Sequence, residues 1–261
     1  KGLPIDKDSI LRPSWNVFRA ITGRWSCSEP NLQNQPEVMR NVYIARKGMR
    51  LVVADYSQLE TRLLALFSGE EVLLEAFKNG RDPYLETARL LFNDSSITSN
   101  DPRRFLAKTY RLADSYGAEA KTKWKRLILD FPSLTLSDVM RIEERDRKLF
   151  KAITKWKSEG IKEALKNDSV VIPLSGRRIF LHGKIEPPKV YDYPIQGSAS
   201  DLIKKKLGEI SGSLKWDFGE AILLQIHDEF VLEGPNEKLL RGILKSTMET
   251  TLSFDGNDCP F

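Results

Sequence analysis

Ile222-Leu223-Leu224-Gln225-Ile226-His227-Asp228-Glu229-Phe230-Val231-Leu232 is the stretch that decides how this chain folds. Two apolar runs of strand character flank three polar residues. Burying two adjacent carboxylates is very unfavourable without a compensating cation. His227, Asp228 and Glu229 therefore sit either in a turn facing water or beside something positive. A second acid, Asp55, ends another apolar run, Leu51-Val52-Val53-Ala54. Strand-borne acids remote in sequence can converge on a pair of divalent metals, the arrangement of phosphoryl-transfer chemistry. The plain alternatives are a polar hairpin turn for Asp228 and Glu229, and a helix cap or turn for Asp55.

Working outward, residues 50–55 read as a strand, and from Leu59 the pattern turns helical, with Leu59, Leu63, Leu66 and Phe67 on one face. Residues 70–168 read as mostly helical, with a long helix over about 103–115 after Pro102. The charged run Glu143-Glu144-Arg145-Asp146-Arg147-Lys148 lies in a helical segment, 138–166, and reads as a solvated face. A short hairpin is expected over 169–181, a helix over about 197–211, the apolar hairpin around 221–233, and a last helix from 236 to about 252. Residues 1–50 carry turn signals at Gly23, Pro30, Pro36 and Gly48. The fold class is α+β: a small antiparallel sheet covered by helices, with a mainly helical insertion.

The 261 residues suffice for one large domain or two intimate subdomains, and a 41% hydrophobic content supports a core. The 41 Lys and Arg exceed the 36 Asp and Glu by five, only a weak pointer to a polyanionic partner. Two cysteines, Cys27 and Cys259, offer neither a disulfide framework nor a metal-ligand spacing. Two histidines, His182 and His227, exclude a zinc site built on several histidines. No apolar run approaches the ~18 residues that span a bilayer.

Within the 103–115 helix, Arg104, Lys108, Leu112 and Ser115 fall on one stripe. Two cations one turn apart, with no acid in the stripe, would meet successive phosphates of a triphosphate; an exposed basic helix face is the simpler account. Tyr116-Gly117 closes the helix.

Taken together, these residues resemble the family A DNA polymerases, the bacterial DNA polymerase I type. Asp55-Tyr56-Ser57-Gln58-Leu59-Glu60 looks like the family's motif A. Arg104 and Lys108, followed by Tyr116-Gly117, look like motif B, and Gln225-Ile226-His227-Asp228-Glu229 like motif C. Thr22-Gly23-Arg24, Pro30 to Asn34, Gly80-Arg81-Asp82, Gly176-Arg177-Arg178 and Gln196 to Asp201 resemble connecting stretches in the same order, so the likeness runs over roughly 15–255.

The resemblance implies a palm subdomain from residues 1–67 and 192–261 and a fingers subdomain from 68–191. It implies template-directed addition of deoxynucleotides to a primer 3′ end with two Mg²⁺ ions. Asp55 and Asp228 would be catalytic and hold the metals, with the Tyr56 backbone carbonyl and Glu229 as further ligands. Lys108 would be catalytic beside Arg104, both gripping the triphosphate. Leu112, Glu60, Gln58 and Tyr84 would complete the nucleotide site, Glu60 crowding the sugar 2′ position. Tyr116, Arg24, Asn31, Asn34, Gln196 and His227 would touch the DNA. The implied partners are a DNA primer–template, deoxynucleoside triphosphates and a separate chain supplying thumb, exonuclease or processivity function. No membrane is implied, and the setting would be the soluble interior of a bacterial or phage-infected cell, or of an organelle.

Three substitutions depart from the family pattern. Leu112 stands where an aromatic ring is usual, Ala113 where a glycine is, and Tyr84 where a histidine often meets the triphosphate. The chain also starts where the palm starts, so thumb and exonuclease domains are expected to be absent and synthesis to be distributive. The other readings are an RNA polymerase or reverse transcriptase relative, which Glu60 argues against in the first case, a two-metal nuclease, and a catalytically weak nucleic-acid-binding or assembly module that keeps the fold.

Overall fold

The computed structural model describes residues 8–17 and 19–261. The chain opens with strands β1 (Ser14–Asn16) and β2 (Ser26–Ser28), a helical turn α1 (Glu37–Arg40) and strand β3 (Arg50–Asp55). Seven helices follow: α2 (Leu59–Ser68), α3 (Glu71–Lys78), α4 (Pro83–Phe92), α5 (Pro102–Ser115), α6 (Ala120–Leu127), α7 (Leu136–Leu149) and α8 (Lys151–Asn167). Then come β4 (Ser169–Val171), β5 (Arg178–Phe180), the long helix α9 (Pro187–Ser213), β6 (Ala221–Ile226), β7 (Glu229–Gly234), α10 (Glu237–Met248), β8 (Thr251–Phe254) and β9 (Asn257–Pro260). The architecture is α+β, as the sequence pattern predicts. No helix among the described residues is long and apolar enough to cross a membrane.

The chain divides into two compact units, one of residues 1–59, 196–250 and 261, the other of 60–195 and 251–260. The first is built on a three-stranded antiparallel sheet in the order β3-β7-β6. All six residues of the central β7 are buried, and α10 packs on β3 and β7 through its apolar face, where Leu240, Ile243, Leu244 and Met248 are buried. Leu240, Leu244 and Met248 recur at four-residue spacing, which is why this segment folds as an amphipathic helix. Asn236 caps its start by accepting from the Leu239 amide at 3.1 Å. The one buried acid at the far end of β7, Glu233, takes the Arg46 amide at 2.8 Å and Arg46 Nε at 2.5 Å. The β6–β7 pairing slips between Ile222 and Leu224, leaving Leu223 as the extra residue of a bulge.

The second unit is mainly helical, and its helix ends obey capping chemistry. Asp82 precedes Pro83 and accepts from the Tyr84 amide at 2.9 Å to start α4; Asp101 precedes Pro102 and accepts from the Arg103 amide at 2.8 Å to start α5. Thr135 and Asp138 form a reciprocal capping box for α7. The segment expected as one charged helix over 138–166 is two, broken at the fully buried Phe150. Helix α9 begins ten residues earlier than expected and runs through Pro194, which has no N–H to donate back into the helix. The expected final helix stops at Met248, and residues 251–260 instead form the β8–β9 hairpin around Asp255-Gly256, both at positive φ. That Asp-Gly pair between strand-like runs was the available sequence signal.

The Glu143–Lys148 run is only partly a solvated face. Glu144 and Lys148 pair in the open, but Asp146 is buried and receives Arg111 Nη2 at 2.5 Å and Nη1 at 3.2 Å. Arg111, itself 1% exposed, lies over the Phe150 ring at 4.2 Å. Asp114, one turn further along α5, accepts from Lys123 at 2.7 Å and from Lys157 at 2.6 Å, while Lys123 also donates to Glu143 at 3.1 Å. Six charges from four helices thus neutralise one another inside the unit. Burial pushes the Asp114 carboxyl up, but Lys157, Lys123 and Arg111 outweigh it and hold the group well below the usual carboxylate range.

Helix α5 ends at Gly117, whose φ is +69°. A methyl group there would lie 2.9 Å from both Pro188 Cα and Tyr191 Cδ2 at the start of α9. Gly117→Ala combines backbone strain with a clash against backbone atoms, so a loss of about 2–4 kcal/mol is expected, read as a lowered thermal midpoint.

Candidate active site

Strand β3 delivers the first acid. Its register places Asp55 opposite Glu229, while Ile226 pairs with Glu229 from the other side, so His227 and Asp228 form the two-residue connection of the β6–β7 hairpin. His227 has φ +56°, the left-handed conformation such a tight connection requires. The Tyr56 amide donates to the Asp228 carbonyl at 3.3 Å, tying the end of β3 to this turn. Asp55 and Asp228, 173 positions apart, are thereby brought close enough for their carboxyl groups to act on each other. Partial loss of hydration raises the Asp55 pKa to about 6, the neighbouring Asp228 charge adds to the rise, and Arg40 and His227 offset it in part. A carboxyl pair whose charges raise each other's pKa is short of positive charge.

Glu229 meets the other half of the opening dilemma. It is buried, and Arg40 Nη1 donates to its Oε2 at 2.7 Å. Arg40 is the positive group of the second alternative, and the sequence could not identify it, because no periodicity connects α1 to β7.

The surrounding residues hold the turn in shape. Gln33 Nε2 donates to the Gln225 carbonyl at 3.2 Å, and Gln225 Nε2 donates to the His227 carbonyl. Asn31 Oδ1 accepts from the Gln33 amide at 3.0 Å, and Asn34 is exposed. Burial lowers the His227 pKa, helped by the charges of Arg24 and Arg40 and opposed by Asp55 and Glu229, so the ring is neutral at pH 7. Gln58 has φ +61°, and its buried Oε1 has no hydrogen-bond partner among the described residues. Gln196, half-buried, is carried on α9.

In the helical unit, α5 carries the cationic stripe. Lys108 is exposed, Arg104 and Leu112 are half-buried, and Ser115 is buried, its hydroxyl donating to the Leu112 carbonyl at 2.9 Å. Arg104 Nε donates to Asp82 Oδ2 at 2.5 Å. The Tyr116 hydroxyl donates to Glu60 Oε2, linking the end of α5 to the first turn of α2. Tyr84 is buried and its hydroxyl lies 3.0 Å from Thr61 Oγ1, within hydrogen-bond distance.

The acids at 55 and 228 offer oxygen donors only, the chemistry preferred by Mg²⁺. Among the described residues no group of three or more His, Cys, Asp or Glu side chains converges. A divalent ion on this pair would take its remaining ligands from backbone, water or substrate oxygens, as Mg²⁺ commonly does.

The sequence profile described as DNA polymerase family A matches residues 3–257. The chain belongs to this family. Among curated family A relatives, it is 32% identical over 260 residues to the thermostable DNA polymerase I of Thermus thermophilus, a match covering 93% of this chain and 30% of that protein. It is 31% identical over 250 residues to DNA polymerase I of Aquifex aeolicus, covering 94% and 43% respectively. Among solved structures, the POL domain of Pol1 from M. smegmatis, in complex with DNA primer-template and dNTP, superposes with a TM-score of 0.83 at 27% identity. That match covers 94% of this chain and 46% of the other. This family A chain therefore spans under half the length of these relatives.

Proposed function

We propose that this chain is the palm and fingers portion of a template-directed DNA polymerase that adds deoxynucleotides to a primer 3′ end. The observation that carries the reading is the meeting of Asp55 and Asp228 at the sheet end, with a carboxyl pKa raised to about 6. The palm would comprise 1–67 and 192–261 and the fingers 68–191. The compact units divide instead at 59/60 and 195/196, with the hairpin 251–260 on the helical side. An intracellular site of action follows from a DNA substrate.

In this reading Asp55, Asp228 and the Tyr56 carbonyl hold two Mg²⁺ ions, with Glu229 kept on Arg40 as a more distant carboxylate. When bound, the ions make the primer 3′-hydroxyl acidic enough to attack and stabilise the charge on the departing pyrophosphate. Arg104 supplies a planar guanidinium and Lys108 a compact ammonium to the triphosphate. Glu60, held by Tyr116, fills the space a ribose 2′-hydroxyl would need, and Leu112 and Gln58 complete the sugar and base contacts. Tyr116 lies by the templating base. Arg24, Asn31, Asn34, Gln196 and the neutral His227 touch the primer–template. Such contacts in the minor groove, where all base pairs show similar acceptors, check pairing geometry without reading sequence. Used as a reagent by itself, the 261-residue chain is expected to work distributively, since duplex affinity scales with the number of phosphates neutralised.

Primer extension with Mg²⁺ and dNTPs at low salt tests the assignment. Extension by this chain but not by its Asp228→Ala variant supports it. Equal products from both would leave a binding or assembly module, and primer shortening without dNTPs would indicate a nuclease.

The acid pair also sets a pH dependence. A divalent ion must displace the retained proton, so its affinity should climb between about pH 5 and pH 7 and level off above the raised pKa of about 6. Calorimetric titration with Mn²⁺ across that range checks this, and a flat profile would mean that the ions bind elsewhere.

A further inference from the structure

Two adjacent arginines open α5, and they are held in opposite ways. Arg103 spends three donors on acids: Nε and Nη2 on Asp101, at 3.0 and 2.7 Å, and Nη1 on Asp94, at 2.9 Å. Arg104 is anchored through Nε alone, at 2.5 Å to Asp82 Oδ2, and among the described residues its Nη1 and Nη2 have no partner. Asp82 is itself fixed, because its other oxygen, Oδ1, accepts from the Tyr84 and Leu85 amides at 2.9 and 3.3 Å as the cap of α4. One carboxylate therefore joins two helices: one oxygen is committed to a helix start, the other to the inner nitrogen of a guanidinium. A guanidinium gripped at Nε loses the rotation about its stem but keeps its outer pair of N–H groups, the edge that binds a phosphate in bidentate fashion.

We infer that Asp82 is the positioning residue for Arg104, orienting its guanidinium so that the Nη edge is ready for the triphosphate of the incoming nucleotide. This rests on the polymerase reading above and adds to it a residue that need not touch substrate. The effect is preorganisation: an arginine on a long flexible stem must otherwise be ordered at the moment of binding. A competing electrostatic effect runs the other way, because a carboxylate close to a polyanion repels it. The two make opposite predictions for nucleotide affinity.

Asp82→Asn separates the contact from the cap. Asparagine caps a helix about as well as aspartate, so the fold is retained, but the amide loses the charge that holds Nε. The measurement is steady-state primer extension with dATP and Mg²⁺ by this chain and its Asp82→Asn, Arg104→Ala and doubly substituted forms, with thermal unfolding of each. The expected result is a KM for dATP raised about tenfold in Asp82→Asn, the loss typical of one charge-assisted contact, with kcat within about twofold. The thermal midpoint should be unchanged, and Asp82→Asn should have no added effect on an Arg104→Ala background. An unchanged or lowered KM in Asp82→Asn, or effects that add in the double variant, would overturn the inference while leaving the polymerase reading intact. Failure of the unsubstituted chain to extend primer beyond its Asp228→Ala control would remove both.

Discussion

Asp55→Asn should abolish primer extension and make the protein more stable at the same time. The loss of activity is expected to be about a thousandfold or more, because the substitution removes one of two carboxylates that hold catalytic charge in place. The gain in stability has an independent cause. In the folded chain partial desolvation, together with the neighbouring Asp228 charge, raises the Asp55 pKa to about 6. Between roughly pH 4 and pH 6 the folded state therefore binds more protons than the unfolded one, so stability falls as pH rises through that window and the repulsion persists above it. The neutral amide escapes that repulsion. Thermal unfolding in EDTA at pH 8 should show Asp55→Asn melting a few degrees above the parent, with the gap closing near pH 4. A variant that melts lower at pH 8 would mean that the two acids do not oppose each other in the folded chain.

The opposite trade is expected at Asp114→Asn. This carboxylate accepts from Lys123 and Lys157 in the interior of the helical unit and balances Arg111 nearby. Removing it leaves buried cations without their counter-charge, a loss of about 3–5 kcal/mol, on the order of a 10 °C fall in melting temperature. The pH dependence follows from the sign of the shift. The Asp114 pKa is held below the usual range, so its contribution is complete above about pH 4 and disappears as pH falls further. The variant should therefore lose part of the acid limb of the stability profile as well as stability at pH 7. A drop below about 1 kcal/mol would show that water already compensates these charges.

The elements that position the acids were legible because their signals are local. An apolar run ending at Asp55 gave β3 its exact bounds, and two apolar runs around His227-Asp228 marked the central hairpin. Helix α5 was legible from Pro102, which stands at its first turn just as the expected helix over about 103–115 begins. The partners of charged side chains were not legible. Arg40 and Glu229 are separated by 189 positions, and Arg111 and Asp146 by 35, with nothing in either neighbourhood to announce the pair. A buried aspartate inside Glu143–Lys148 has the same local pattern as an exposed one, and only the tertiary contact distinguishes them. The early start of α9 was concealed by Pro194, which propensity counts as a breaker but which a long, packed helix absorbs.

The slip in strand β6 bears on behaviour in concentrated solution. β6 is an outer strand of its sheet, and an unbroken outer strand would offer a ready template for pairing with a second molecule. By pushing Leu223 out of the ladder midway along, the irregularity divides that rim into two short lengths, neither long enough to recruit a neighbour by backbone bonding. Deleting Leu223 would leave Ile222 opposite Leu232 and Leu224 opposite Val231, so the strand's side chains would keep their faces while the rim became one continuous length open to a second molecule.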